Sequence, residues 1–240
     1  MLSIIIPALN EEKYLPLLLD SIKKQSVGAA QNFDYEIIVA DAGSKDKTVE
    51  IAKQYGCRVV KGGLISAGRN RGAEAAKGDA LLFLDADVLL PENFLKNAVS
   101  EFQRRELGIA SFLIYPLSKK RFEKFWFQIF NLYSWLMHKL SPHAVAAIMA
   151  RKDVHEKIGG FDEEIVFVED YSYARSAAKV SKFGLIKIPF FVSLRRFKKD
   201  GWFNVGFKYV LAELHVLFLG PIKSDIFKYK FAHYDEKKSG

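Results

Sequence analysis

Over the first hundred residues the hydrophobic positions switch repeatedly between two spacings. Short aliphatic runs at 2–6 (LSIII), 35–40 (YEIIVA), 57–61 (CRVVK) and 80–84 (ALLFL) read as buried strands. Between them Tyr14, Leu15, Leu18, Leu19 and Ile22 recur at helical spacing, and DAGSKDKTVEIAKQYG is a loop running into a helix. SAGRNRGAEAAKG predicts a helix of small residues ending at Gly78, and 91–105 a helix opened by Pro91. This alternation with unbroken apolar strands predicts an α/β fold, a mostly parallel central sheet with helices on both faces. Ligands of such sheets bind beyond the carboxyl ends of the strands. Polar residues gather there: Asn10 and Glu11 after the first strand, Asp41 after the second, Asp85 and Asp87 after the fourth.

The second half has a different texture. IASFLIYP (109–116) predicts another strand, and GLIKIPFFVSLRRF one or two strands broken at Pro189. Residues 121–140 are aromatic-rich, with a polar stripe of Lys124, Gln128, Asn131, Ser134 and His138 at helical spacing; residues 201–219 are again amphipathic and aromatic. No repeat or linker cuts the chain. The expected organisation is one domain over 1–200, with a 1–105 half and a 106–200 half, followed by a helical extension over 201–240 whose DEKKSG tail frays.

Charge adds one constraint. Thirty-six Lys and Arg against 28 Asp and Glu give +8, which fits nucleic acid, an anionic membrane surface or phosphorylated small molecules. Nucleic acid is disfavoured, because the basic residues are scattered and the aromatics fall on apolar helical stripes. The single cysteine, Cys57, excludes an internal disulfide and a cysteine-rich zinc site and fits a reducing interior. The opening MLSIIIPALNEE has no basic stretch ahead of its short apolar run, and no segment is long and apolar enough to span a bilayer. A cytoplasmic location is expected. For 121–140, flanked by Lys119, Lys120, Arg121 and Lys139, peripheral contact with the membrane face competes with packing over the sheet or in a dimer.

The chemistry concentrates in LLFLDADVLL. Two carboxylates straight after a buried strand suit a divalent ion, because Mg²⁺ and Mn²⁺ prefer hard oxygen ligands and share them with substrate phosphates. Solvated aspartates capping a turn are the bland alternative. A haloacid-dehalogenase-like phosphatase is a second, although its Asp-x-Asp motif normally sits on a chain's first strand. Farther on, FVEDYSYARSAAK supplies Glu169 and Asp170 at a helix start, where adjacent carboxylates are expected to point in different directions. LRRFKKDGW places Arg195 and Arg196 after a strand, forks suited to phosphate oxygens. His143 reads as a surface histidine, and no histidine pair has metal-ligand spacing.

Four separated segments, SIIIPALNEEKYL, EIIVADAGSKDKT, SAGRNRGAEAAKGDALLFLDADV and GGFDE…VEDYSYARSAAK, together resemble family 2 glycosyltransferases of the GT-A fold in order and spacing. The resemblance covers roughly residues 2–200. It implies an inverting enzyme that moves a sugar from a UDP- or GDP-linked donor to a saccharide or lipid-linked acceptor, a hydroxyl or a polyprenyl phosphate, with Mg²⁺ or Mn²⁺ as cofactor. Pro7, Asn10, Glu11, Asp41, Ser66, Arg69, Asn70, Asp85 and Ala86 would bind the nucleotide, with Arg69 or Arg71 on a phosphate. Asp87 with Asp85 would hold the metal, Asp170 would be the general base, and Glu169, Arg195 and Arg196 would face acceptor or diphosphate. Where the family usually has a second aspartate after Asp41, this chain has Ala42. A non-catalytic nucleotide-sugar-binding module is the remaining alternative, and the oligomeric state is open.

Overall fold

Strand β1 (Leu2–Ala8) is buried along its whole length and lies between β2 (Tyr35–Asp41) and β4 (Ala80–Leu84), parallel to both. β3 (Arg58–Lys61) extends the parallel half beyond β2. The structure is a computed structural model describing residues 1–25 and 34–227, so the DEKKSG tail lies outside the described residues. The remaining strands are β5 (Val88–Leu89), β6 (Ile109–Pro116), β7 (Ala147–Arg151) and β8 (Phe183–Val192). The helices are α1 (Leu15–Lys23), α2 (Thr48–Gln54), α3 (Ile65–Ala75), α4 (Phe94–Arg104), α5 (Arg121–Met137), α6 (Lys152–Lys157), α7 (Glu169–Ala178), α8 (Arg195–Asp200) and α9 (Trp202–Phe218).

The strands form one sheet in the order β3-β2-β1-β4-β7-β6-β8-β5. Side chains alternate across it, as a pleat requires. Ile4 and Ile6 join the core under α1 and α4, while Ile5 joins the core under α3, α6 and α7. The small residues of α3 have a packing reason: a Cβ on Gly72 would come within 2.3 Å of Ile5 Cγ2. The expected parallel order continues only to β4. β7 runs antiparallel to both β4 and β6, and β5 is antiparallel to β8.

Only Asp85, Ala86 and Asp87 separate β4 from β5, yet three strands lie between the two in the sheet. Four Cα steps reach about 14 Å, whereas four strand spacings laid flat need about 19 Å. The sheet must therefore curl until its far edge returns over the end of β4. The Asp-Ala-Asp tripeptide is the strap across that gap.

Three expectations are corrected. Pro189 does not break the chain into two strands; β8 is continuous and absorbs the proline as a register shift against β6. The helix over 91–105 begins at Phe94, not at Pro91. The stripe on α5 is partly inverted: Asn131 and Ser134 are buried, while Phe122, Phe125, Leu132 and Leu136 are more than half exposed. β7 pairs with β6 only as far as Ser111, and beyond it Asn131 stands in for a strand. Its amide donates to the Ile114 carbonyl at 2.8 Å and its oxygen accepts from the Ile114 N–H at 3.0 Å. Among the described residues no helix is long and apolar enough to cross a membrane.

Candidate active site

The loops after β1 and β2 are tied together before any ligand arrives. The Asn10 N–H donates to Ser44 Oγ, the Asn10 side-chain oxygen accepts from the Lys45 N–H, and the Glu11 N–H donates to Thr48 Oγ1 at 2.7 Å. Asp41 is turned into its own loop, where its carboxylate accepts from the N–H groups of Gly43 and Ser44 and from the Ser44 hydroxyl.

Arg69 lies at the centre of the site. It is 2% exposed, so its charge must be matched locally. Nη2 donates to Asp85 Oδ1 at 2.9 Å, and Nη1 bonds Glu169 Oε1 at 2.9 Å and Asp170 Oδ1. Glu169 and Asp170 thus converge on one guanidinium instead of diverging. Arg69 is thus committed to carboxylates, whereas the resemblance implies a phosphate contact for Arg69 or Arg71. The Arg71 guanidinium donates to the Gly62 carbonyl. Asn70 points away from the cavity and clamps the GGFDE loop, donating to the Phe161 carbonyl at 2.9 Å and accepting from its N–H at 2.8 Å. Ser66 is buried in the first turn of α3.

A second arginine mirrors the first. Arg195 donates to Glu11 Oε2 at 2.8 Å, and its Nε lies 2.9 Å from Asp87 Oδ2. Between the two clusters opens a cavity of about 1000 Å³. Pro7, Glu11, Asp85, Ala86, Asp87, Glu169, Asp170, Arg195 and Arg196 line it; Asn10, Asp41, Ser66, Arg69 and Asn70 do not.

Two residues with no chemical signature complete the frame. Ala146, in the left-handed region at φ 59°, accepts from the Asp85 N–H at 3.0 Å and donates its own N–H to Asp170 Oδ2 at 3.3 Å. Val168 has φ 51°, a conformation β-branched residues rarely adopt, immediately before Glu169. Both line the cavity, so backbone strain is concentrated where the carboxylates are aimed. The sequence offered no signal for either. His143, expected at the surface, is buried with its ring nitrogens on Ser134 Oγ and the Ser141 carbonyl, and burial lowers its pKa.

Five carboxylates, Glu11, Asp85, Asp87, Glu169 and Asp170, face two guanidiniums. Burial raises the Asp87 pKa, opposed by Arg195 and reinforced by Asp85. Burial likewise raises Asp170, opposed by Arg69 and reinforced by Glu169 and Asp85. The surplus of negative charge and the hard oxygens of Asp85 and Asp87 fit a divalent cation. Among the described residues no three acidic, histidine or cysteine side chains form a cage for one, so the protein would supply only part of its coordination.

A sequence model of glycosyl transferase family 2 matches residues 3–159. The chain belongs to glycosyl transferase family 2. Proteins similar to it include the 4,4'-diaponeurosporenoate glycosyltransferase of Staphylococcus haemolyticus, 36% identical over 133 residues, or 51% of this chain and 34% of that protein. The dolichyl-phosphate beta-glucosyltransferase of Drosophila melanogaster is 38% identical over 99 residues, 36% of this chain and 30% of that one. The chain thus spans about a third of the length of these curated relatives. Its fold is similar to that of the Pyrobaculum calidifontis mannosyltransferase PcManGT in complex with GDP-Man and Mn²⁺, with TM-score 0.69 at 18% identity over 88% of this chain and 61% of that one. It is also similar to S. aureus TarS 1-349 in complex with UDP-GlcNAc, with TM-score 0.64 at 22% identity over 98% of this chain and 69% of that one. The family 2 fold thus accounts for the curled, mostly parallel sheet, and family membership sets the phosphatase alternative aside.

Proposed function

We propose that this chain transfers a sugar, with inversion, from a nucleoside-diphosphate sugar to an acceptor held in the cavity. One observation carries the reading: Asp85 and Asp87 from the β4 strap and Asp170 from the start of α7 line one cavity, with Arg69 bonded to both Asp85 and Asp170. The donors bound by the fold neighbours, UDP-GlcNAc in TarS and GDP-Man in PcManGT, support a UDP- or GDP-linked donor.

Asp85 and Asp87 are the residues that would hold Mg²⁺ or Mn²⁺ together with the donor's diphosphate. Such an ion, when bound, offsets diphosphate charge and makes it a better leaving group. Pro7, Glu11 and Ala86 line the nucleotide end of the cavity. Asp170 takes the proton of the acceptor hydroxyl as that oxygen attacks the anomeric carbon from the face opposite the diphosphate; the bond to the diphosphate breaks in the same displacement, which inverts the centre. Burial raises its pKa, which makes this carboxylate, ionised against Arg69, a stronger proton acceptor. Arg69 fixes the direction of Asp170, while Arg195 fixes Glu11 and Asp87.

The test is calorimetric titration with UDP, GDP, CDP and dTDP, each with and without Mn²⁺. Metal-dependent binding of one nucleotide is expected. Binding of none with Mn²⁺ present overturns the reading.

A further inference from the structure

Helices α5 and α9 carry their apolar residues on the wrong side for a water-facing surface. Asn131 and Ser134 of α5 are buried, while Phe122, Leu132 and Leu136 are exposed. On α9, Glu213 turns inward to Arg175 at 3.0 Å, while Phe203, Phe207 and Phe218 are exposed, Phe203 by 84%. A solvated amphipathic helix does the reverse. Aromatic and aliphatic side chains exposed together on two neighbouring helices mark a surface that meets something.

Two observations say what it meets. The first is continuity. The cavity holding Asp85, Asp87 and Asp170 runs on between the two helices, walled by Trp126, Phe130 and Tyr133 of α5 and by Phe203, Phe207 and Val210 of α9. α9 is seated there by Ala212 and Val216, which pack against Phe167, Val168 and Tyr171 at the start of α7. The apolar cleft therefore opens onto the base itself. The second is charge. Lys119, Lys120, Arg121 and Lys124 are exposed where α5 begins, and Lys198 is exposed on α8 just before α9. A rim of cations around an apolar face complements an anionic bilayer.

The polar end of the cavity restricts the head group. Around Arg69 three carboxylates share one guanidinium, and the donor's own diphosphate takes up the ion at Asp85 and Asp87, so a second anionic phosphate brought to Asp170 meets net negative charge, whereas an uncharged hydroxyl does not. We propose that the cleft between α5 and α9 takes the hydrocarbon chain of a membrane-held amphiphile whose neutral hydroxyl head is the sugar acceptor. This rests on the glycosyl-transfer reading. The amphiphile's oxygen bonds to the anomeric carbon, its proton passes to Asp170, and the nucleoside diphosphate leaves with the electrons of the broken bond.

The probes are decyl maltoside and decyl phosphate, each below micelle formation, followed by tryptophan emission in a Trp135→Phe background, where only Trp126 and Trp202, which line the cleft, remain. A saturable response to decyl maltoside is expected, with decyl phosphate at least about tenfold weaker. Gly206 supplies the blocking variant. It lines the cleft within α9, and a Cβ there meets nothing within 4 Å, so Gly206→Phe fills the cleft while favouring the helix. That variant is expected to lose the maltoside response while its circular dichroism is retained. The wild type is also expected to float with equimolar phosphatidylglycerol and phosphatidylcholine vesicles and to be released by salt.

No saturable maltoside response, equal binding of the phosphate, a response that survives Gly206→Phe, or failure to float each overturns the inference. So does a dimer, seen by sedimentation, that shields Trp126 from decyl maltoside. Calorimetric nucleotide binding on the same preparation separates the two readings. Nucleotide binding without maltoside binding overturns this inference alone, and loss of nucleotide binding overturns the reading beneath it.

Discussion

Arg69 Nη2 donates to Asp85 Oδ1 at 2.9 Å, although one residue sits inside α3 and the other just beyond β4. The same guanidinium reaches Glu169 and Asp170, a hundred residues farther along the chain. Removing it leaves three carboxylates facing one another in a buried place. Arg69→Met is expected to destabilise the fold by about 3–5 kcal/mol, the usual cost of breaking a buried charge pair. Urea denaturation reads this directly, and a loss under about 1 kcal/mol would deny Arg69 its central place.

Asp170→Asn keeps the shape of the side chain and its contact with Arg69 but cannot take a proton. Nucleotide affinity is expected to stay within about twofold, while transfer, followed as nucleoside diphosphate release, falls by about 10²–10⁴-fold. Unchanged transfer would remove Asp170 from the chemistry.

Asp87→Ala removes one of the two oxygen donors on the β4 strap. Nucleotide binding in the presence of Mn²⁺ is expected to weaken by at least about tenfold. EDTA should weaken the wild type to a similar degree and leave the variant little changed. An EDTA effect of equal size in both proteins would place the metal elsewhere.

His155 provides a pH test away from the cavity. Burial lowers its pKa to about 4, with Lys152 adding to the effect, and its ring meets Phe83, Phe161 and Tyr173. The unfolded chain takes up this proton first, near pH 6.5, so folded stability is fully present above that value and is lost as pH falls toward 4. The depression corresponds to a loss on the order of 3 kcal/mol. His155→Gln should flatten this part of a stability–pH curve measured in urea, and an unchanged slope would refute the assignment.

Asn131→Leu should cost about 1–3 kcal/mol, because the Ile114 N–H and carbonyl would lose their partner in a buried setting. Thermal denaturation reads this cost. A neutral result would mean that α5 does not complete the edge of β6.

Much of this was legible in sequence for a plain reason. β1, β2 and β4 are buried on both faces and read as unbroken apolar runs, so the ends that carry Asp85 and Asp87 could be located. β7 gives no such signal, because AIMAR is short and its direction depends on strands on either side of it. Arg69 stands out in the sequence, but its partners lie at 85, 169 and 170, and no local pattern reports a contact across that distance. On α5 the stripe is legible but its sense is not, because Asn131 and Ser134 meet buried polar groups rather than water. Ala146 and Val168 matter through their backbones, which side-chain identity does not reveal.

Glu11 and Arg195 are joined across 184 positions of the chain. A ribosome adding about 5–20 residues each second would release the first roughly ten to forty seconds before the second. During that interval β1 to β4 can assemble, but the edge of β4 awaits β7, and the strap of carboxylates awaits its second guanidinium. The half-made protein must therefore pass through a stage with an open strand edge and an over-charged rim. Repulsion among those carboxylates favours a loose, hydrated rim until Arg195 reaches Glu11 and Asp87. A nascent chain stalled before Arg195 would be a natural client for chaperones.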